Sequence, residues 1–187
     1  IDGAHPDLAS KLAAGSQFCD PGASKFGGGD DLACVLNDPP TAACVHATRV
    51  AGLAAAAADN SAGIAGLSWG ARLLSLKVFR SSDCATDCSD KSGSACATDD
   101  ASIINAINYA VTLQNSAGIG RIVLNMSLGE DAACSGPMQG AITAAAGAGL
   151  ALVSAAGNDP SPLVGVNSPA NCAGVLPVGV APSLSRR

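Results

Sequence analysis

The chain has 187 residues, of which 10 are Lys or Arg and 15 are Asp or Glu, so the formal net charge is −5. That length fits one domain, and the acidic balance provides no basic field for phosphate backbones, which argues against a nucleic-acid binder. No apolar run approaches the ~18 residues that a membrane-spanning helix needs. A 48% share of hydrophobic residues with 13% charged residues also argues against disorder, which leaves a globular domain rich in small residues.

Helix-like and strand-like segments alternate along the chain. The alanine-rich stretch 46–58 predicts a helix, the apolar run 72–79 has the length of a strand, and the preceding segment 17–45 is expected to be an elaborated loop. The elements predicted after these are a helix over 99–116, a strand over 121–126, a helix around 137–148, and strands over 150–156 and 174–180. This alternation predicts an α/β fold with a doubly wound, mostly parallel sheet and helices on both faces.

Cysteine is unusually frequent for a chain of this composition. The eight cysteines are Cys19, Cys34, Cys44, Cys84, Cys88, Cys96, Cys134 and Cys172. An even number of scattered cysteines favours disulfides formed in an oxidising compartment. Two alternatives stay open, a metal site at the closely spaced Cys84, Cys88 and Cys96, and free thiols. No CxxC pair supports the metal site.

Three features of the sequence contain residue types that are suited to catalysis or to substrate binding. Parallel sheets collect functional groups at the carboxyl ends of their strands, here 125–129 and 155–158. The first segment is either a plain strand exit or an edge that pairs with an extended peptide. Asn158 is either a turn residue or an amide donor for an oxyanion. His46, one of only two histidines, is either a capping or packing residue or a general base of a serine-type mechanism.

These features combine in one known pattern. The segment H-A-T-R-V-A-G at 46–52 resembles the H-G-T-H-V-A-G signature around the catalytic histidine of subtilisin-like serine proteases, peptidase family S8. The other matching segments occur in the family's order: H-P-D-L at 5–8, L-L-S-L-K-V at 73–78, N-M-S-L-G at 125–129, A-A-G-N at 155–158 and S-P-A at 168–170. The chain is therefore identified as similar to this family over nearly its whole length.

The resemblance implies a subtilisin-like fold and a role for each matching residue. His46 would be the base of the catalytic triad, and Asn158 would donate to the oxyanion hole. The substrate would be bound by Asn125, Ser127, Leu128, Gly129, Ala155, Ala156 and Gly157.

The resemblance also implies a structural calcium ion at Asp7 and Asn60, with no catalytic cofactor. A carboxylate and an amide oxygen suit that ion, although a plain solvated turn stays open as the alternative. By similarity to secreted relatives, Cys134 is expected to pair with Cys172. The remaining cysteines form two groups of three, so one further bridge should join the first group to the second.

Two parts of the family's pattern are not found. The family's aspartate lies seven residues before the histidine of H-P-D-L, whereas Asp2 is only three residues before His5, and no G-T-S-M-A nucleophile motif occurs. Ala47 and Arg49 replace a glycine and a histidine of the signature. We therefore expect residues 1–187 to be the central part of one subtilisin-like peptidase domain, incomplete at both ends, with sheet and pocket surfaces exposed.

The functional expectation is a secreted, monomeric serine endopeptidase that acts on peptide or protein substrates, with no nucleic-acid or membrane partner. The 187-residue polypeptide by itself is expected not to hydrolyse peptide bonds, because it lacks the nucleophile and the triad carboxylate. One alternative is a catalytically dead relative that serves as a binding module, suggested by Ala47 and Arg49. Another is an unrelated α/β nucleotide-binding enzyme, but no G-x-G-x-x-G follows a strand here.

Overall fold

The structure is a computed structural model. It describes residues 1–13, 45–79, 98–158 and 165–180, and the backbone of 18–19. The chain divides into two compact units, residues 1–106 and residues 107–187, and each unit is described by itself. Within the described residues, no helix combines the length and apolar character that crossing a membrane requires. The expected loops that hold most of the remaining cysteines lie outside the described residues.

The first unit contains helix α1 and a short parallel pair of strands. Strand β1 (Phe18–Cys19) pairs with β2 (Leu76–Lys77) in parallel register, and a parallel bridge joins Leu12 to Leu73. The strand predicted over 72–79 is thus present as a bridge and a two-residue ladder. The segment 17–45, expected to be an elaborated loop, contains β1 near its beginning, because residues 18–19 pair with a strand that is distant in sequence.

Helix α1 (His46–Ala55) begins where the sequence predicts but ends earlier than residue 58. Ala56 adopts an extended conformation, with φ −53° and ψ 146°. The backbone beyond the helix bonds to other parts of the unit instead, since Ala57 N donates to the carbonyl of Asp7 at 2.9 Å. Tertiary pairing therefore overrides the helix propensity of the alanine run.

Helix α2 (Asp100–Leu113) shows how a local cap sets a boundary. Asp99 Oδ1 accepts hydrogen bonds from the backbone N and the Oγ of Ser102, at 2.8 and 2.7 Å, which satisfies a free donor of the first turn. The helix ends before the predicted residue 116, where the Gln114 side chain donates to Gly149 O and accepts from Ile122 N. This glutamine thereby fixes the chain entering the next strand.

The second unit is a three-stranded parallel sheet with a crossover helix. Its strands are β3 (Val123–Met126), β4 (Ala151–Ala155) and β5 (Leu176–Val178), in that order across the sheet. Helix α3 (Gly136–Gly147) lies in the chain between β3 and β4 and packs against β4. The Ser135 hydroxyl caps α3 by accepting from Met138 N at 3.2 Å.

The two faces of this sheet differ. Leu124, Met126 and Leu152 are buried on one face, and α3 buries Met138 and Ile142. The other face carries exposed apolar side chains, of which Val123 is 67%, Leu176 61% and Val178 51% exposed. Parallel sheets are normally covered on both faces, whereas this face of the sheet exposes apolar side chains.

Candidate active site

The carboxyl ends of β3 and β4 bring two predicted substrate-binding segments side by side. Met126 pairs with Ser154 in the parallel register, and the buried Ser154 hydroxyl donates to the carbonyl of Met126 at 3.0 Å. Residues 127–129 and 155–157 therefore leave neighbouring strands at the same edge of the sheet. The sequence predicted this edge because both segments follow apolar strands.

The first segment has backbone groups available for a ligand. The backbones of Leu128 and Gly129 make no hydrogen bond to any other residue that the structure describes. Asn125 lies one position before the end of β3, and its Nδ2 donates to Ser127 Oγ at 2.9 Å. Such an edge is suited to pairing with an extended peptide, because main-chain donors and acceptors there need partners.

Asn158 lies directly beyond the second segment. Gly157 has φ +112°, a conformation that side chains rarely adopt, and it turns the chain out of β4 before Asn158. Asn158 is exposed, and its amide makes no hydrogen bond within the described part of the chain. An amide nitrogen of this kind is available to donate to an oxygen that gains negative charge.

The structure adds a third segment, residues 166–168, to these two. Ser168 and Glu130 exchange two backbone hydrogen bonds of 3.0 Å, and Asn167 N donates to Ala156 O at 3.0 Å. The Asn167 side chain lies between Gly129 and Gly157, where a Cβ on either glycine would come within 3.3 Å of it. Sequence reasoning found the adjacent S-P-A motif but missed Asn167, whose only signal is its position before that motif.

A disulfide and an asparagine hold the third segment in place. Cys134 and Cys172 are bonded, with their Cα atoms 5.2 Å apart, which confirms the expected pairing. Asn171 Nδ2 donates to Ala132 O at 2.8 Å and to Val166 O at 2.9 Å. Its Oδ1 is buried without a hydrogen-bond partner among the described residues. These contacts link the segment after β3 to the segment before β5.

His46 belongs to the first unit, where it is the first residue of α1 and is exposed. It is not the N-cap, which is Val45, and Val45 provides no side-chain cap. Two residues further on, the Thr48 hydroxyl accepts a hydrogen bond from Asp2 N at 2.9 Å. The Asp2 carboxylate instead accepts from Ala4 N at 3.0 Å. That local turn agrees with the exclusion of Asp2 by spacing.

The two predicted calcium ligands are in contact. Asp7 is only 2% exposed, and its Oδ1 accepts from Asn60 Nδ2 while its Oδ2 accepts from Ile64 N, both at 2.9 Å. The Ile64 and Asn60 hydrogen bonds lower the pKa of Asp7 below its ordinary value, with a smaller lowering from His5, against desolvation that raises it. A Cβ on Gly63 would overlap Asp7 Oδ2, so this loop requires glycine there.

The groups at Asp7 meet part of what a calcium ion requires. A carboxylate and an amide side chain are of the right kind, and residues 57–65 line an open hollow of about 360 Å³. As folded, however, the amide presents its nitrogen to the carboxylate. Among the described residues there is no cluster of three or more His, Cys, Asp or Glu side chains. Oxygens of Asn60 and of the loop backbone would have to complete such a site.

Comparison with known proteins places the chain in a family. A model of the subtilase family matches residues 1–183. The chain is 32% identical to an "Extracellular protease" of Xanthomonas campestris pv. campestris, covering 96% of this chain and 31% of that protein. It is also 32% identical to a "Thermophilic serine proteinase" of Bacillus sp. (strain AK1), covering 100% of this chain and 37% of that protein.

Among solved structures, the chain is similar in fold to the "S41 Psychrophilic Protease", with a TM-score of 0.66 and 24% identity over 95% of this chain and 49% of that one. It spans about a third of the length of the two curated relatives. The fold and the order of motifs agree with the family match, which confirms the resemblance drawn from the sequence. This chain belongs to the subtilase family.

Proposed function

We propose that residues 1–187 are the central part of one subtilisin-like peptidase domain, in a secreted serine endopeptidase that hydrolyses peptide or protein substrates as a monomer. The observation that carries the proposal is the edge at β3 and β4. There a backbone segment with open hydrogen-bonding groups lies beside a glycine turn that ends at Asn158. Family membership supports the reaction class.

The proposed chemistry divides among three groups. A substrate strand pairs with the backbone of 127–129, and its carbonyl is directed toward Asn158 Nδ2. His46 takes the proton from a serine hydroxyl as that oxygen attacks the carbonyl carbon, and then gives it to the leaving amine. Asn158 stabilises the negative charge that forms on the carbonyl oxygen. The attacking serine belongs to a G-T-S-M-A motif that these 187 residues do not contain.

The test uses the full-length protein that contains these residues. We expect it to hydrolyse casein and to be inactivated by a serine-directed inhibitor. His46→Ala should lower kcat/KM by at least about 10⁴-fold, because no other group accepts the serine proton. Asn158→Ala should lower kcat by about 10² to 10³-fold, the loss typical of one oxyanion donor.

Asn108→Ala is the matched control, since Asn108 is an exposed asparagine on α2, and it should retain activity. Full activity in His46→Ala would contradict the proposal. Tight peptide binding without turnover in the unaltered protein would favour the binding-module alternative instead. The 187-residue polypeptide alone should show no inhibitor-sensitive hydrolysis.

Secretion is supported by the Cys134–Cys172 disulfide, which persists in oxidising compartments, and by the similarity to a protein named as extracellular. Fractionation of the producing cells should find the protein outside them. Recovery of the whole protein inside the cells, with Cys134 and Cys172 reduced, would contradict secretion. Size-exclusion chromatography of the secreted protein should give the volume of a monomer.

We also propose that Asp7 and Asn60 hold a structural calcium ion. The support is a buried carboxylate in contact with an amide at the edge of an open loop. Bound calcium would supply a positive charge that fixes the loop 57–65, with the Asn60 oxygen in place of its nitrogen facing Asp7. Because the ion would bind only the folded loop, calcium should raise the unfolding temperature.

Thermal unfolding of the full-length protein in excess calcium and in EDTA tests this site. The calcium-dependent increase should disappear in Asp7→Asn and persist in Asp131→Asn, which removes an exposed carboxylate outside the loop. An equal increase in Asp7→Asn would place the calcium elsewhere. No increase in the unaltered protein would exclude a stabilising calcium.

A further inference from the structure

The Asn167 side chain lies between the two predicted substrate-binding segments, 127–129 and 155–157. We propose that Asn167 selects substrates whose residue before the scissile bond has a polar, uncharged side chain, over apolar side chains of the same size. The inference rests on the proposed function, because it assigns that residue of the substrate to the cleft between 127–129 and 155–157.

The first support is the position of the amide. A Cβ built on Gly157 would lie 2.9 Å from Asn167 Cγ, 3.0 Å from Nδ2 and 3.1 Å from Oδ1. A Cβ on Gly129 would lie 3.3 Å from Asn167 Cβ and 3.9 Å from Nδ2. The amide therefore occupies the space beside the two glycines, between the two segments.

The second support is that the backbone holds Asn167 in place. Its N donates to Ala156 O at 3.0 Å, its carbonyl accepts from Asn171 N at 3.1 Å, and the next residue is paired with Glu130. Gly157 limits the movement of the side chain on one flank and Gly129 on the other. A substrate side chain that reaches the end of the cleft therefore meets a prepositioned amide.

The third support is the unused hydrogen-bonding capacity of that amide. Neither Nδ2 nor Oδ1 of Asn167 bonds to any residue that the structure describes, although the residue is half-buried. The side chains of Leu128, Ala155 and Ala156 in the two segments are apolar, so the Asn167 amide adds a polar group between them. A substrate that displaces water there must supply a partner, because an unpaired buried amide is costly.

The experiment compares pairs of peptide substrates in the full-length protein. The members of each pair differ only at the residue before the scissile bond and match in size: asparagine with leucine, threonine with valine, and glutamine with methionine. We expect kcat/KM to favour the polar member by about tenfold, the effect of one buried hydrogen bond left unmade. A site that hydrogen-bonds its substrate discriminates in this way against an analogue that lacks the group.

Two variants and a control locate the effect. Asn167→Gly should reduce the polar-to-apolar ratio to within about twofold and increase cleavage after phenylalanine, because the end of the cleft opens. Asn167→Asp should shift the preference toward lysine and arginine, since the amide becomes an anion that only accepts hydrogen bonds. Asn108→Asp adds the same charge on an exposed helix position and should leave every ratio unchanged.

Failure of this inference and failure of the proposed function give different results in these experiments. The role of Asn167 would be rejected if inhibitor-sensitive hydrolysis were faster for the apolar member of each pair, or fastest after lysine or arginine. Either result would leave the peptidase proposal intact. A polar-to-apolar ratio of kcat/KM that stays the same in both Asn167 variants would also reject the role of Asn167 and leave the peptidase proposal intact. Absence of hydrolysis in the unaltered protein would reject both together.

Discussion

The two units differ in the kind of candidate functional group that each contains. In the first unit, the proposed chemistry depends on one imidazole, His46, at the start of a short helix. In the second, it depends on backbone geometry, where the strand ends of a parallel sheet, two glycines and an asparagine lie close together. Sequence motifs reveal the first kind of site directly, whereas the second kind becomes visible only when the segments are brought together.

The units also differ in what stabilises them. Around the cleft, a disulfide and two side-chain hydrogen bonds of Asn171 join segments that are distant in sequence. In the first unit, a small apolar core that includes Leu8, Ala51 and Ala56 is supplemented by the Asp7 carboxylate and its N–H donors. Three measurements test whether the two units are stabilised in these different ways.

The largest effect on stability is expected from the disulfide. Replacing both Cys134 and Cys172 by alanine should lower the free energy of unfolding by about 4 kcal/mol, because the bridge spans 38 residues and its loss frees that loop in the unfolded chain. Hydrogen exchange should show the loss of protection mainly in β4 and α3. An equal loss in α1 would contradict the idea that each unit has its own means of stabilisation.

The next effect is expected from the closest backbone approach in the first unit. Gly66 is buried, and a Cβ there would overlap the backbone of Ala55 and Ala56. Gly66→Ala should therefore cost about 3 kcal/mol, because backbone atoms cannot move aside as a flexible side chain can. Gly70→Ala is the matched control, since nothing lies within 4 Å of its Cβ position. Denaturant unfolding that finds the two variants equally stable would refute the predicted packing.

The smallest effect is expected from Asp7 and depends on pH. Its folded pKa is lowered, so the contribution of Asp7 to stability is fully present above its unfolded pKa and is lost as the pH falls through the folded one. In calcium-free buffer, Asp7→Asn should be less stable than the unaltered chain at pH 7, and the difference should shrink below about pH 4. A difference that stays constant down to pH 2 would show that the carboxylate charge contributes nothing.

Much of the fold was predictable because its signals are local. The alanine run predicted α1, the helix predicted over 99–116 is present as α2, and the apolar runs predicted β3 and β4. The boundaries that were missed depend on distant partners. Helix α1 stops at Ala55 because residues beyond it bond to Asp7 and Gly66, and β1 exists because Leu76–Lys77 lies beside it.

The family, the α/β class and the residues at the strand ends could be predicted from motifs and periodicities in the sequence. The pairing of Cys134 with Cys172 was implied by the resemblance to secreted relatives. Only the tertiary structure brought Asn167 between Gly129 and Gly157, and placed Asn60 and Ile64 on the carboxylate of Asp7. The physical reason is that such contacts join segments dozens of residues apart, and no local pattern specifies which backbone atoms will come within 3 Å of each other.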